Sequence, residues 1–460
     1  MRTSTLGLLT AALTGRVAAL ISPGNTGRLP AMGWNSWNEY HCDINESVFL
    51  TTAQKLIDTG LADLGYVYVN IDDCWSDNEK RRDPNTQEII PDYTRFPRGI
   101  SGLADEIHSM GLKVGIYSDA GTGTCLNYPG SLGYENIDAH TFASWGIDCK
   151  LTQINDSDLK YDNCYVPAEY NDEYFFDPEY IKDNSPPGYD WGTSKSAQRF
   201  AAMRDALQEQ NRTILYSICN WGQAHVDIWG NKTGHSWRSS GDIIEEWTGR
   251  FEFDNSWGIT NIINQAAFFW NATDFWGHAD WDMLEVGRGD LTIEENRSHF
   301  ALWAAFKSPL ILGTPLHDIQ DPILKIISNR ELIDFNQDTV YGFPASPYKW
   351  GYREDYTYDP TYPAEYWSGS SVKGIHVFIL NTQDKTVSMT ASFSEIPALK
   401  DNPGATYLVH DMWTGEDIGE FTEGYTVDVE PHDTIAFRIS LPDGEFTPFQ
   451  FWRYLLIPLG

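Results

Sequence analysis

Carboxylates recur in this chain at the ends of short apolar runs. Asp72 and Asp73 follow residues 66–71, Asp119 follows 113–118, Asp162 closes 159–161, and Asp242 ends the stretch that begins at Trp237. Cys219 and Trp221 close another run, 213–218. A doubled carboxylate beside an apolar segment is costly unless cations or ligand hydroxyls satisfy it. For Asp72-Asp73 the competing accounts are a solvated loop or a metal site. In Lys160-Tyr161-Asp162 the first and third side chains share one face of an extended strand, so ammonium and carboxylate meet. A nearby ammonium favours the ionised carboxylate that a nucleophile requires. By itself a Lys-x-Asp pair reads first as a buried salt bridge, and Arg238 with Asp242 as a structural ion pair. Together, two aspartates on separate strand ends with Lys160, Arg238 and several tryptophans fit glycosidic-bond cleavage, in which one carboxylate attacks and the other shuttles a proton.

Such residues need a scaffold that gathers strand ends. From Pro30 to about Asn336, short apolar runs alternate with amphipathic segments, the pattern of repeated β-α units. The strand candidates are 32–34, 66–71, 113–118, 159–162, 213–219, 237–240, 282–285 and 310–313. Helix candidates include 46–59, 102–110, 194–208, 261–269 and 294–305. Eight units in about 300 residues predict an α/β fold, a (β/α)8 TIM barrel with its chemistry on the loops at the strands' C-terminal ends. After Asn336 the pattern changes to alternation, as in 372–380 and 434–439, which predicts a C-terminal antiparallel β-sandwich. The expected division is a leader at 1–20, a barrel at 21–336, a sandwich at 337–441 and an atypical apolar tail at 442–460.

With 32 Lys+Arg against 65 Asp+Glu, the formal charge of −33 opposes nucleic acid and anionic membranes as partners. A neutral or cationic ligand fits better, and the 18 tryptophans offer faces on which sugars stack. Met1-Arg2 followed by an apolar run through Leu13 matches a secretory leader, with cleavage near residues 20–22. No later run approaches the roughly 20 apolar residues that span a bilayer. Six cysteines without C-x-x-C spacing argue for a few bridges in an oxidising compartment and against structural zinc. Sequons at Asn45, Asn155, Asn211, Asn231, Asn271 and Asn296 agree with a secreted glycoprotein.

Five segments occur in a telling order: Gly33-Trp34-Asn35-Ser36-Trp37-Asn38, Asn70-Ile71-Asp72-Asp73-Cys74-Trp75, Gly115-Ile116-Tyr117-Ser118-Asp119, Lys160 to Cys164, and Arg238 to Asp242. Over roughly residues 28–440 the chain resembles glycoside hydrolase family 27. The resemblance implies a retaining α-galactosidase in which Asp162 is the nucleophile and Asp242 the acid/base, with carboxyls about 5–5.5 Å apart and no metal or cofactor. It implies that Asp72 and Asp73 bind the 4- and 6-hydroxyls, Lys160 the 3- and 4-hydroxyls, and Arg238 a group near the 2-hydroxyl. Trp34 becomes a sugar-binding wall and Met283 an apolar contact, although ordinary barrel packing serves Met283 as well. Cys219 and Trp221 crowd the 2-position. The resemblance also pairs Cys42 with Cys74 and Cys125 with Cys164, leaving Cys219 free and Cys149 without a partner.

The chain departs from the family where residues 149–158 intervene before the nucleophile strand. Two accounts compete, a loop at the far end of the barrel and translated intron sequence. The second is favoured because an insertion beside a central strand endangers its register. The rival activities are α-N-acetylgalactosaminidase and β-L-arabinopyranosidase on the same barrel. A catalytically silent galactose-binding protein is the rival of another class. Oligomeric state is left open by the sequence.

Overall fold

A computed structural model describes residues 19–147, 157–251 and 256–442. Most of the leader, Cys149, Asn155, most of the inserted segment and the tail beyond 442 lie outside the described residues.

Eight parallel strands form one curled sheet: β1 (Met32–Asn35), β2 (Tyr68–Asn70), β3 (Lys113–Asp119), β4 (Ser157–Asp162), β5 (Ile214–Ile218), β6 (Ser236–Arg238), β7 (His278–Asp280) and β8 (Leu310–Leu312). Their order is β7-β6-β5-β4-β3-β2-β1-β8, so consecutive strands lie side by side from β1 to β7, and β8 returns to pair with β1. A single parallel bridge, Leu284 to Leu312, draws the two edges together into a barrel. The expected seventh strand at 282–285 is therefore corrected. His278–Asp280 pairs with β6, and Asp282, at φ 78°, breaks the run before Leu284 turns to β8. One stretch serves both edges, and a left-handed residue at the break is what separates the two halves.

The helices lie between strands: α1 (Glu46–Asp58), α2 (Gly99–Ser109), α3 (Glu135–Ser144), α4 (Lys195–Gln208), α5 (Val226–Thr233), α6 (Ile259–Phe269) and α7 (Ile293–Ala305). Asn45 caps α1 by accepting from the amides of Ser47 and Val48, and Phe49, Ala53 and Leu56 form its buried stripe. α7 begins with a capping box between Thr292 and Glu295. α3 escapes the apolar periodicity because its buried face carries Asp138, paired with Arg82 at 2.7 Å.

The C-terminal region stacks a six-stranded antiparallel sheet on a two-stranded one. The larger contains β9 (Ser346–Lys349), β10 (Tyr366–Ser371), β11 (Gly374–Leu380), β13 (Tyr407–Asp411), β14 (Glu416–Phe421) and β16 (Thr434–Ser440). The smaller pairs β12 (Val387–Ser392) with β15 (Gly424–Val429). Val377, Ile379, Met389, Val409 and Ile439 fill the space between them. The other face of the large sheet packs on the barrel through α7, with Phe306 and Trp367 in ring contact at 4.9 Å. One apolar core thus runs from the barrel into the sandwich.

β4 keeps its place despite the preceding insertion. Asp158, Leu159, Lys160, Tyr161 and Asp162 face Gly115 through Asp119 on one side, and Ser157–Tyr161 face Ile214–Ile218 on the other. Ser157 and Asp158, assigned to the insertion on sequence, belong to the strand. The register hazard does not extend into β4, because both neighbours bond it in phase.

Candidate active site

Alternation along β4 sends Asp158, Lys160 and Asp162 to the barrel interior at three successive depths. The middle one makes the central contact. Lys160 Nζ donates to Asp72 Oδ2 at 2.8 Å, and Asn35 Nδ2 donates to the same oxygen at 2.8 Å. The Asp72 amide donates to Ser36 Oγ at 3.1 Å, which ties the β2 loop to β1. Asp73 is buried, and its Oδ2 accepts the Leu126 amide at 3.1 Å. Burial pushes its carboxyl above the usual range, with the backbone bonds opposing. Cys42 is bonded to Cys74, and Cys125 to Cys164. The bridges join the loop after β1 to that after β2, and the loop after β3 to that after β4.

Asp162 stands at the top of β4. Its Oδ2 accepts from the Tyr117 hydroxyl at 3.0 Å and its Oδ1 from the Asn163 amide at 3.0 Å. Burial raises its carboxyl most strongly, the Lys160 ammonium pulls it back, and the Asp242 charge raises it again. Asp162 therefore feels the charge of Asp242 across the site. Asp119 sits beside Asp162, but it is spent on backbone: the Cys164 amide donates to its Oδ2 at 2.9 Å and the Gly121 amide to its Oδ1 at 2.6 Å. Asp119 and Asp162 cluster with the Cys125 and Cys164 sulfurs within 4.8 Å. Those sulfurs are disulfide-bonded, and a metal takes thiolate instead.

The opposite wall comes from β6. Arg238 reaches Asp242 Oδ1 at 2.8 Å, Asp282 Oδ2 at 2.6 Å and the Gly241 carbonyl at 2.9 Å. The Asp242 side chain is 50% exposed whereas that of Asp282 is 5% exposed. Asp242 thus opens to the mouth while Asp282 holds the guanidinium from behind. Burial raises the Asp282 carboxyl, opposed by Arg238. The buried, unbridged Cys219 lies 3.8 Å from Arg238 through Sγ, and burial pushes its thiol well up, so it is a neutral wall residue.

Beneath the pocket is a cavity of about 40 Å³ lined by Asn70, Asp158, Lys160, Asp280 and Met283 among others. Asp158 accepts from Ser217 Oγ at 2.8 Å and Asn70 Nδ2 at 3.0 Å, and burial raises it to about 7. Gly115 makes room for this pair, since a Cβ there would collide with Asn70 Oδ1.

Most expected site residues converge here: contacts and mutual charge link Asp72, Asp73, Lys160, Asp162, Cys219, Arg238 and Asp242, and Met283 lines the small cavity with Lys160, Cys219 and Arg238. Trp221, at φ 49°, leans on the rim beside Gly222. Trp34 does not join them. It is 1% exposed, edge-on to Tyr40 and Phe49, and its Nε1–H bonds the Thr314 carbonyl at 3.2 Å. Alternation along β1 turns Trp34 away from the interior that Asn35 faces, so the wall assignment is corrected to a core role. Trp37, on the turn after β1, is the partly exposed tryptophan of that motif. Asn296 is likewise corrected as a glycan site. It is 2% exposed, and its Nδ2 donates to the carbonyls of Leu291 and Thr292. Asn45, Asn211 and Asn271 are exposed and Asn231 is half-buried. Asn35, Tyr117, Asp158 and Asp282 join the site beyond the residues expected from sequence. Period-two spacing from Lys160 and Asp162 marks Asp158, but Asp282 meets Arg238 only in the fold.

Two family models match the chain in order, one described as alpha galactosidase A over residues 29–177 and 187–338, the other as the alpha galactosidase C-terminal beta sandwich domain over 361–439. A probable alpha-galactosidase B of Aspergillus oryzae is 52% identical over 442 residues, covering 92% of this chain and 95% of that protein. Its counterpart in Neosartorya fischeri is 51% identical over 461 residues, covering 95% and 99%. Among solved structures, alpha-galactosidase I of Mortierella vinacea superposes with a TM-score of 0.78 at 35% identity, over 91% of this chain and 99% of the other. The Saccharomyces cerevisiae alpha-galactosidase with raffinose gives 0.77 at 30% identity, over 91% and 100%. The barrel, the sandwich and both matches agree, and the chain belongs to the alpha galactosidase A family, glycoside hydrolase family 27.

Proposed function

We propose that the chain hydrolyses terminal non-reducing α-D-galactose residues from oligosaccharides and galactomannan side chains, with retention of configuration. The carrying observation is the polarised pocket: Asp162 beside the Lys160–Asp72 pair on one wall, and Asp242 in the grip of Arg238 on the other. Relatives named as α-galactosidases along nearly the whole chain support the substrate class.

In the first displacement an Asp162 oxygen attacks C1 of galactose while Asp242 delivers its proton to the glycosidic oxygen. The C1–O bond to the leaving sugar breaks and a galactosyl ester forms. In the second, Asp242 takes a proton from water, water oxygen attacks C1, and the ester bond to Asp162 breaks. Lys160 favours the ionised nucleophile against the pull of burial. Asp72 and Asp73 accept from the 4- and 6-hydroxyls and Lys160 donates to the 3- and 4-oxygens. An equatorial 4-hydroxyl would strand these buried groups, which selects galactose over its epimer. Arg238 lies near the 2-hydroxyl and orients Asp242. Cys219 and Trp221 fill the space an N-acetyl group needs, and Trp37 replaces Trp34 as the aromatic edge. Residues 21–336 carry the chemistry and 337–441 form the supporting sandwich. The two bridges, the leader-like start and the exposed sequons support export to an oxidising compartment.

The test is a panel of p-nitrophenyl glycosides with NMR of the first product. Cleavage of the α-galactoside releasing α-galactose is expected. Preference for the α-N-acetylgalactosaminide or β-L-arabinopyranoside reassigns the substrate. Galactose binding without any turnover identifies a silent lectin-like chain.

A further inference from the structure

Residues 178–186 fall between the two stretches matched by the catalytic-family model, so this chain carries there a segment the family pattern does not account for. The segment completes a small hairpin in which Phe176–Asp177 pairs with Lys182–Asp183. Its tip is fixed to the other active-site loops: Pro178 abuts Gly222, Glu179 pairs with Arg250, and Arg250 reaches the Tyr180 hydroxyl at 3.4 Å. Between the hairpin and those loops opens a cleft of about 530 Å³, within the roughly 300–1,000 Å³ typical of small-molecule sites.

The cleft shares its walls with the catalytic pocket. Asn163, whose amide holds Asp162, and Trp221 both line it. So does Trp257, which pairs with Ile243 in the short ribbon that also matches Ser256 to Asp242. The ribbon that carries Asp242 thus borders the cleft, and an acid/base that protonates the departing oxygen lies on the leaving group's side of the bond. The cleft's aromatic rings divide into engaged and available ones. Phe176 stacks on His225 at 3.4 Å and Tyr174 sits edge-on to Tyr189 at 4.9 Å. Phe175 is 55% exposed, and neither it nor Trp221 has a ring contact among the described residues. Trp221 is held there by a left-handed backbone, a strained conformation typical of working sites. Arg250 is paired with Glu179, and the lining combines exposed aromatic carbon with amides and carboxylates, Asn163, Asn171, Gln223, Asp172 and Asp177, that can bond the hydroxyls of an uncharged pyranose.

We infer that residues 178–186 complete a subsite for the leaving sugar, with Phe175 as its stacking face, so that the chain favours galactose carried on another sugar over galactose carried on a leaving group too small to reach it. This rests on the α-galactosidase reading above. The experiment compares kcat/KM for raffinose and for α-galactosyl fluoride, whose leaving group is too small to enter the subsite, in the full chain, in Phe175→Ala, and in a variant whose hairpin tip, residues 178–181, is replaced by Asn-Gly. The expected result is a loss of about tenfold on raffinose, mostly in KM, as fits the removal of one stacking face, with the fluoride within about twofold. Equal losses on both substrates mean a purely structural role and overturn the proposal, as does unchanged raffinose turnover in both variants. An unmodified chain that cleaves neither substrate fails differently: it overturns the activity itself and the subsite with it.

Discussion

Lys160 Nζ lies 2.8 Å from Asp72 Oδ2 and one strand position from the carboxylate of Asp162. A single ammonium thereby serves two acids with different tasks. It pairs with the buried Asp72, proposed above to meet the sugar hydroxyls, and it opposes the burial that would protonate Asp162. Asp72 in return, with Asp162, holds the ammonium charged, raising Lys160 against the desolvation that would discharge it.

Removing that ammonium has a direction. In Lys160→Met the Asp162 carboxyl loses its main opposing influence, so its folded pKa rises further. The nucleophile then ionises only at higher pH, and the acid limb of the kcat/KM profile moves upward. A pH–rate profile checks this, and an unmoved acid limb would separate Lys160 from the ionisation of Asp162.

Asp162→Asn is expected to abolish turnover and to retain galactose binding, measured by calorimetry, because Asn keeps the shape while losing the attacking charge. Near-native activity would remove Asp162 from the nucleophile role.

Asp242→Asn is expected to depend on the leaving group. Loss on raffinose, whose leaving alcohol needs a proton, should be on the order of 10²–10⁴-fold. A substrate with an acidic phenol, such as p-nitrophenyl galactoside, should suffer far less in its first displacement. Burst kinetics distinguish the two steps, and equal losses in both would count against acid catalysis by Asp242.

Asp158 makes stability fall as pH rises. Its folded pKa of about 7 lies above the unfolded value, so between about pH 4 and 7 the folded state holds a proton that the unfolded state has released. Unfolding is therefore increasingly favoured across that window. Asp158→Asn removes the titration, and its melting temperature should gain on the parent's from pH 4 to 7 and then run parallel. A constant difference across the window would show that Asp158 is not the group responsible.

Glycan mapping by mass spectrometry should find Asn45, Asn211 and Asn271 open to occupancy and Asn296 bare. The Asn296 amide already donates to two carbonyls in the N-terminal turn of α7, and its Oδ1 accepts the Gly287 amide. A glycan found at Asn296 would require that turn to be rebuilt.

The sequence by itself determined the alternation of strands and helices, the change to a β-sandwich after Asn336, and the carboxylates waiting at strand ends. These are local properties: periodicity reports which face is buried, and a strand end reports where a loop begins. It also placed Lys160 and Asp162 on one face, because that follows from a period of two. Which partner each inward side chain meets was decided only by the tertiary structure. Asn35 reaches Asp72 across 37 positions, and Arg238 finds Asp282 across a kink at Asp282 itself that no periodicity announces. Trp34 went astray for the same reason. A tryptophan beside an active-site motif reads as a binding residue until the barrel fixes its rotation, and on β1 the pleat that turns Asn35 inward turns Trp34 out against Phe49. Periodicity is carried by neighbours in the chain; ion pairs and pocket walls are set by closure of the barrel, which brings together ends that the sequence keeps far apart.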